Sequence, residues 1–291
     1  MTLLDRIGIA ANNLDKRLLN LIKDVQVVDF EECHTTEQDL RNTLVVGSET
    51  ALPLTFRMVE EHGLSFLIQK KHEYFLYNLI MSAMICKYPD VFLKSPITVI
   101  TRNANAYDRT IKIPFNSTAD KDRIMFECEE FVNQNSKNSS IKQNIKIIIS
   151  ELFSNAMYSA PTDDSGNYLY ANHPRNKDVT YPGDHKGIMH LSFNNEIFAV
   201  ACSDPFGSVN KVRVTKRLHQ VFHDSKLASV EHRNNENLGS GLGLKMVIEN
   251  SIGFGMVVRQ GFETLVYATL PVGSGNRKVA RIAKNICFNF Y

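Results

Sequence analysis

The chain has 291 residues, of which 43% are hydrophobic and 22% charged, with a formal net charge of +2 at pH 7. Its length suits about two domains with ordinary buried cores, and the small net charge gives no electrostatic case for a nucleic-acid or an acidic partner. The cysteines, at 33, 86, 128, 202 and 287, form no close pair, which fits free thiols in a reducing compartment better than a disulfide frame or a zinc site.

The opening residues, MTLLDRIGIAANNLDKR, lack the basic-then-apolar order of a secretory leader. The longest apolar run, Phe75 to Cys86, is interrupted by Asn78 and Ser82 and is too short to span a bilayer. A soluble, cytoplasmic protein is expected. Over the first hundred residues short apolar runs alternate with amphipathic ones. Strands are expected at Arg6–Ala11, Val25–Phe30, Thr43–Gly47, Leu64–Gln69 and Ile97–Thr101. Helices are expected at Leu14–Lys23, at Thr36–Asn42 with Thr35 or Thr36 as cap, at Leu54–His62 stopped by Gly63, and at His72–Lys87. Such alternation argues for a parallel sheet with helices on both faces. In element order it resembles the response-regulator receiver domain. The acidic pair, phosphorylatable Asp and Lys that the receiver family carries after its first, third and fifth strands are not seen: the first strand runs into Ala10-Ala11-Asn12-Asn13, the third ends Val46-Gly47-Ser48-Glu49 and the fifth ends Thr101-Arg102-Asn103. Residues 1–105 are therefore expected to be a receiver-like α/β domain without phosphoacceptor chemistry, used for docking or dimerisation; the alternative is an unrelated small α/β domain.

The polar stretch Asn103–Asp108 marks a boundary. Beyond it Thr110–Phe115 alternates as a strand, Asn116-Ser117-Thr118 caps a helix over Ala119–Asn133, and Asn135–Ser140 is a loop. Ile141–Ala160 then has apolar residues at helical spacing: Ile145, Ile148, Ile149, Leu152, Ala156 and Ala160. Glu151 and Asn155 break into that surface one turn apart on one face. An amide oxygen suits a hard cation such as Mg²⁺, and a nearby carboxylate can orient or deprotonate a nucleophile. Residues 161–187, rich in Asp, Asn, Pro, Gly and Tyr, are long for a connection and read either as a functional flap or as a mobile insertion. His173, His185 and His190 lack metal-ligand spacing and read as surface histidines.

Strands follow at His190–Phe193 and Glu196–Ser203, and the second runs into Asp204-Pro205-Phe206-Gly207, which places a carboxylate at a strand end. Val209–Phe222 reads as a basic helix and Ser225–Asn237 as a polar, flexible stretch. Gly239-Ser240-Gly241-Leu242-Gly243-Leu244 then enters a helix; glycines there let backbone N–H groups approach a phosphate, and the helix N-terminus favours an anion. The spacing is neither the dinucleotide fingerprint nor a Walker loop. A hairpin, Met256–Arg259 with Thr264–Leu270, is followed by a basic tail, 273–291, which either packs as a short helix or stays mobile.

Taken in order, Glu151-Leu152-Phe153-Ser154-Asn155-Ala156, Asp204-Pro205-Phe206-Gly207 and Gly239-Ser240-Gly241-Leu242-Gly243 resemble the motifs of the GHKL (histidine-kinase-like) ATPase domains over about residues 108–272. Within that family the leading strand TIKIPF and the terminal TLVYATLPV look most like the anti-sigma-factor serine kinases. No phosphoacceptor helix pair precedes the motifs, which argues against a histidine autokinase. The resemblance implies a Bergerat-type α/β sandwich that binds ATP and Mg²⁺. Asn155 would ligate the metal and Glu151 would act as base or water-orienting group. Asp204 would accept from the adenine amino group and Gly207 would let the base approach. Gly239, Gly241 and Gly243, with Leu242 between them, would cradle the phosphates. Three departures stand out: one glycine in the Asp204 turn, Tyr158-Ser159 where those kinases often carry a basic residue and His, and the insertion 161–187. The function so implied is an ATP-binding signalling protein, a protein serine/threonine kinase acting on a partner in a signalling or transcription-control pathway, with dimerisation as in those kinases and no membrane or nucleic-acid partner. The alternative is a non-catalytic protein-interaction module that uses nucleotide only to set its shape, or binds none.

Overall fold

A computed structural model describes residues 25–33, 40–71, 73–96, 109–170, 172–194, 196–223, 242–272 and 276–291. The expected elements at 6–11, 14–23, 36–39 and 97–101, the boundary at 103–108 and the polar stretch 225–237 lie outside these residues. In chain order the elements are β1 (Gln26–Asp29), α1 (Phe30–Cys33), β2 (Thr43–Gly47), α2 (Leu52–His62), β3 (Phe66–Gln69), α3 (Phe75–Lys87) and α4 (Pro89–Lys94). They continue with β4 (Arg109–Phe115), a 3₁₀ turn (Thr118–Asp120), α5 (Lys121–Asn135), α6 (Ser139–Ser159), β5 (Gly187–Phe193) and β6 (Ile197–Asp204). The last are α7 (Lys211–His223), α8 (Leu242–Glu249), β7 (Gly253–Arg259), β8 (Glu263–Pro271), α9 (Asn276–Arg281) and β9 (Asn285–Phe290).

Local chemistry accounts for several boundaries. Gly63 ends α2 in the left-handed region, φ 68°, with its N–H on the Met58 carbonyl, as its position after His62 predicts. Pro89 divides the expected 72–87 helix from α4, since a proline opens a helix more readily than it continues one. Ser117 and Asp120 form a reciprocal capping box at the turn before α5.

The described strands form one nine-stranded, mostly antiparallel sheet in the order β1-β2-β3-β9-β7-β8-β6-β5-β4, and the fold is mixed α/β. β1, β2 and β3 run parallel, as the alternation of the first hundred residues predicts. Their order differs from a receiver. There the first strand of the fold lies between the second and third, whereas here the expected second and third strands, β1 and β2, are hydrogen-bonded neighbours (Gln26↔Thr43, Val28↔Val45).

The basic tail is the second correction. Residues 285–290 are a strand that runs antiparallel to β3 and parallel to β7, so the segment lies near the middle of the sheet. Ile286, Cys287 and Phe288 are buried there. Its basic composition misleads because Lys284 is itself buried, with Nζ donating to the carbonyls of Ser251 (2.6 Å), Val279 (2.7 Å) and Glu249 (3.3 Å). Asn285 Oδ1 accepts from Gln69 N at 2.9 Å and completes the junction with β3.

Apolar residues cover both faces. Alternate residues of β6, Phe198, Val200 and Cys202, join the core under α2, α5, α6, α7 and α8. The intervening Ile197, Ala199 and Ala201 join a second core under α3 and α4. Helix α3 is buried along most of its length, Asn78 and Ser82 included, which explains its long, largely apolar run. Among the described residues no helix is long and apolar enough to cross a membrane. One burial expectation fails. His190 is 3% exposed in β5, and burial pushes its pKa down to about 4, because strand position rather than spacing decides its surroundings.

Candidate functional site

The site is assembled from α6, the end of β6, the start of α8 and the strap 161–186. Helix α6 begins at Asn138, whose side chain accepts from Ser140 N, and buries Ile141, Ile145, Ile148, Ile149 and Leu152 against the sheet. Glu151 and Asn155 flank that stripe and are partly exposed. The start of α8 lies directly on the Glu151 carboxylate. A Cβ built on Gly243 would stand 2.0 Å from Glu151 Oε2 and 2.9 Å from Cδ, so a side chain there would have to displace the Glu151 carboxylate. Burial raises the pKa of Glu151; Arg175 and then Lys121 draw it back. The Asn155 amide nitrogen is buried without a hydrogen-bond partner, a state that costs about 1–3 kcal/mol until something meets it.

All eight residues of β6 are buried, and the strand delivers Asp204 at its C-terminal end, 6% exposed. By alternation with Phe198, Val200 and Cys202, Asp204 faces the α6 side of the sheet. Burial pushes its pKa from the ordinary 3.8 up to about 7, although the N–H groups of Phe206 and Gly207 favour the charged form. Phe206 N donates to Oδ1 at 3.1 Å. Thr264 stands opposite Asp204 in the β6–β8 ladder. Its side chain also pulls the carboxyl down, yet its buried hydroxyl falls short of hydrogen-bond geometry and has no partner.

Gly207 has φ 56°, and a Cβ there would meet backbone atoms: Arg259 O at 2.2 Å, Phe262 N at 2.5 Å and Glu263 N at 2.8 Å. The close approach expected of this glycine is therefore first of all to the β7–β8 turn, whose Gly261 N donates to Gly207 O at 3.0 Å.

Three tyrosines and a serine tie the Asp204 turn to α6. Ser208 Oγ donates to Ala160 O (2.6 Å), and Tyr168 Oη donates to Ser208 O (2.8 Å). Tyr181 Oη donates to Ala156 O (3.0 Å), while its ring meets Phe206 edge-on at 5.0 Å. Tyr158 Oη shares its one proton between the carbonyls of Arg175 (3.0 Å) and Lys177 (2.9 Å). Residues 161–187, for which a functional flap and a mobile insertion are the two readings, are held by hydrogen bonds at several points. The segment is a strap fixed to α6 and to the turn before α5, where Thr118 N donates to Val179 O and Tyr181 N to Asn116 O.

The fold thus sets Gly243 against Glu151, one turn before Asn155 on α6, and ties the Asp204–Gly207 turn to the C-terminal end of the same helix through Ser208 and Tyr181, with Leu242 as the first residue of α8. Gly239 and Gly241 lie outside the described residues. Sequence reasoning missed Thr264 and Arg175. Thr264 becomes visible only once the β6–β8 register is known, and nothing in the composition of 161–187 singles out Arg175. Among the described residues there is no group of three or more His, Cys, Asp or Glu side chains able to hold a metal; a cation here would rest on Asn155 and its ligand's own oxygens. Neither the protein-family models nor the curated proteins searched contain a match to this chain.

Proposed function

We propose that this chain binds ATP with Mg²⁺ in the cleft between α6, the Asp204 end of β6 and the start of α8, and transfers the terminal phosphate to a serine or threonine of a partner protein. The reading treats β4–β8 with α5, α6 and α8 as a Bergerat-type sandwich. The observation that carries it is the buried pair at the end of β6. Asp204 offers an acceptor and Thr264 an unpartnered donor, side by side. That pattern matches the edge of adenine, which donates from its amine and accepts at a ring nitrogen.

The other residues suit the phosphate end. Asn155 fits Mg²⁺ through its amide oxygen, its nitrogen being the buried orphan; the ion, when bound, neutralises phosphate charge. Gly243 leaves the start of α8 bare of side chain, where backbone N–H groups and the helix field favour an anion. Glu151, raised in pKa beside that backbone, takes a proton from the attacking hydroxyl at a carboxylate oxygen. Tyr181 and Phe206, both buried and packed edge-on, supply an apolar wall on the strap side.

The elements β1–β3 and α2–α4 then form the regulatory part. Helix α2 packs on α7, with Phe56 stacked on Phe222 at 4.9 Å and Glu60 bonded to His219 at 2.5 Å, so a partner engaging α2 has a direct route to α7. The partner belongs to a signalling or transcription-control pathway in a cytoplasmic setting, with a homodimer as the working form.

Calorimetry tests the site: wild type should bind MgATP, and Asn155→Ala and Asp204→Asn should each abolish it. A folded wild type that binds no nucleotide refutes the reading. Glu151→Ala should keep binding and lose phosphoryl transfer to a captured partner. Unchanged partner regulation in Glu151→Ala would point instead to a non-catalytic switch.

A further inference from the structure

We infer that Arg175, carried by the strap 161–186, reads the terminal phosphate of the nucleotide, its guanidinium taking γ-phosphate oxygens that ADP lacks. The inference rests on the ATP reading above.

Three observations support it. The first is position. Arg175 Nη1 donates to Ser154 O at 3.1 Å, and Ser154 is the neighbour of Asn155 and lies three residues after Glu151. Among charged groups Arg175 is also the foremost one acting on Glu151, with Lys121 second. Arg175 and Lys121 thus both favour the charged form of Glu151 without pairing with it directly.

The second is rigidity. The guanidinium lies over the Tyr158 ring, 4.4 Å from its centre. The hydroxyl of that same tyrosine holds the backbone of Arg175 and Lys177. One buried side chain therefore fixes both the plane of the fork and the loop that carries it. An exposed arginine ordinarily gives up much rotamer freedom to grip a phosphate, and here that ordering is already in place.

The third is vacancy of charge. Among the described residues Arg175 forms no ion pair, and of its five N–H donors only the bond to Ser154 O has a protein acceptor. A strut needs packing and one hydrogen bond; a planar cation kept exposed, fixed and unpaired beside Glu151 is suited to paired phosphate oxygens.

The test is calorimetric binding of ATP, ADP and adenosine to the full chain as wild type, Arg175→Gln and Arg175→Lys. Glutamine keeps a donor for Ser154 O and an amide plane over Tyr158 but removes the charge. We expect wild type to prefer ATP. Arg175→Gln should lose about ten- to a hundredfold in ATP affinity, the scale of a hydrogen bond to a charged group, with ADP and adenosine unchanged. Arg175→Lys should recover part of the preference. A parallel loss for all three ligands would make Arg175 only a strut, and an unaltered ATP-to-ADP ratio would equally overturn the inference. Wild type binding ATP and ADP alike would overturn it while leaving the site standing. Wild type binding none of the three would remove the site itself.

Discussion

Gly207 and Gly261 form a matched pair for measuring what the Asp204 turn demands. Both have positive φ, 56° and 73°, and they are joined by the Gly261 N to Gly207 O hydrogen bond. Their surroundings differ: a Cβ at Gly261 meets nothing within 4 Å, while one at Gly207 falls within 2.2–2.8 Å of three backbone atoms. Alanine at Gly261 should cost only the left-handed conformation, about 1–2 kcal/mol. Alanine at Gly207 carries the same term and must also push the β7–β8 turn aside. Overpacking adds about 1–3 kcal/mol, and more where the obstacle is backbone. Urea unfolding should therefore place Gly207→Ala below Gly261→Ala by about 1–3 kcal/mol, and ATP binding should fall in Gly207→Ala alone, since its displaced turn carries Glu263 and Thr264. Equal destabilisation by the two substitutions would refute the account, because it would mean that the contact with Arg259 O carries no energy.

Asp204, held at about 7 instead of 3.8, binds its proton more tightly in the folded chain. Its stabilising contribution is thus fully present below about pH 4 and lost as pH rises through 7, a swing of up to about 4 kcal/mol. Asp204→Asn should accordingly be more stable than wild type at pH 8, with little difference at pH 4, as read by urea midpoints across pH. Phe288→Ala removes a fully buried ring that meets Phe56 and Phe254 and should cost about 3–5 kcal/mol by the same assay. Tyr158→Phe leaves the carbonyls of Arg175 and Lys177 without their donor; about 1–2 kcal/mol of stability should go, with faster proteolytic cleavage within 161–186. Lys284→Ala should be harsher than its surface-like composition suggests. It strands three backbone carbonyls, and thermal denaturation should show a loss of at least about 3 kcal/mol.

Where local pattern and tertiary surroundings agree, the chain is legible without its structure. Thr43–Gly47 is a strand to the residue, Gly63 stops its helix, Ser117 caps the next, and the spacing of Glu151 and Asn155 places them together on α6. Legibility fails where a residue's meaning depends on its neighbours across the sheet. Nothing in KNICFNF says that β9 enters between β3 and β7, because that pairing is set by edges made more than two hundred residues earlier and some thirty residues earlier. Thr264 has significance only through its register with Asp204. His190 looks like any histidine until the neighbouring strands of the sheet surround it. The strap shows the same limit from the other side: its Asp, Asn, Pro and Gly content correctly signals turns, while its fixed position depends on the Tyr158, Tyr168 and Tyr181 hydroxyls finding carbonyls elsewhere.

The place of β9 also sets an order of events during synthesis. Of the nine described strands it comes last in chain order and so leaves the ribosome after the other eight, yet it fills a gap between β3 and β7 near the centre of the sheet. Until then a nascent chain carries two part-built sheets with open apolar edges, Phe66-Leu67-Ile68 on β3 and Met256-Val257-Val258 on β7, and open edges invite pairing with other chains. Closure is therefore a late, long-range step, slow in the manner of non-local pairings. It also makes quality control simple in principle: a copy that breaks off before residue 285 lacks the one strand that bridges its halves, and its exposed edges mark it for chaperones or proteases.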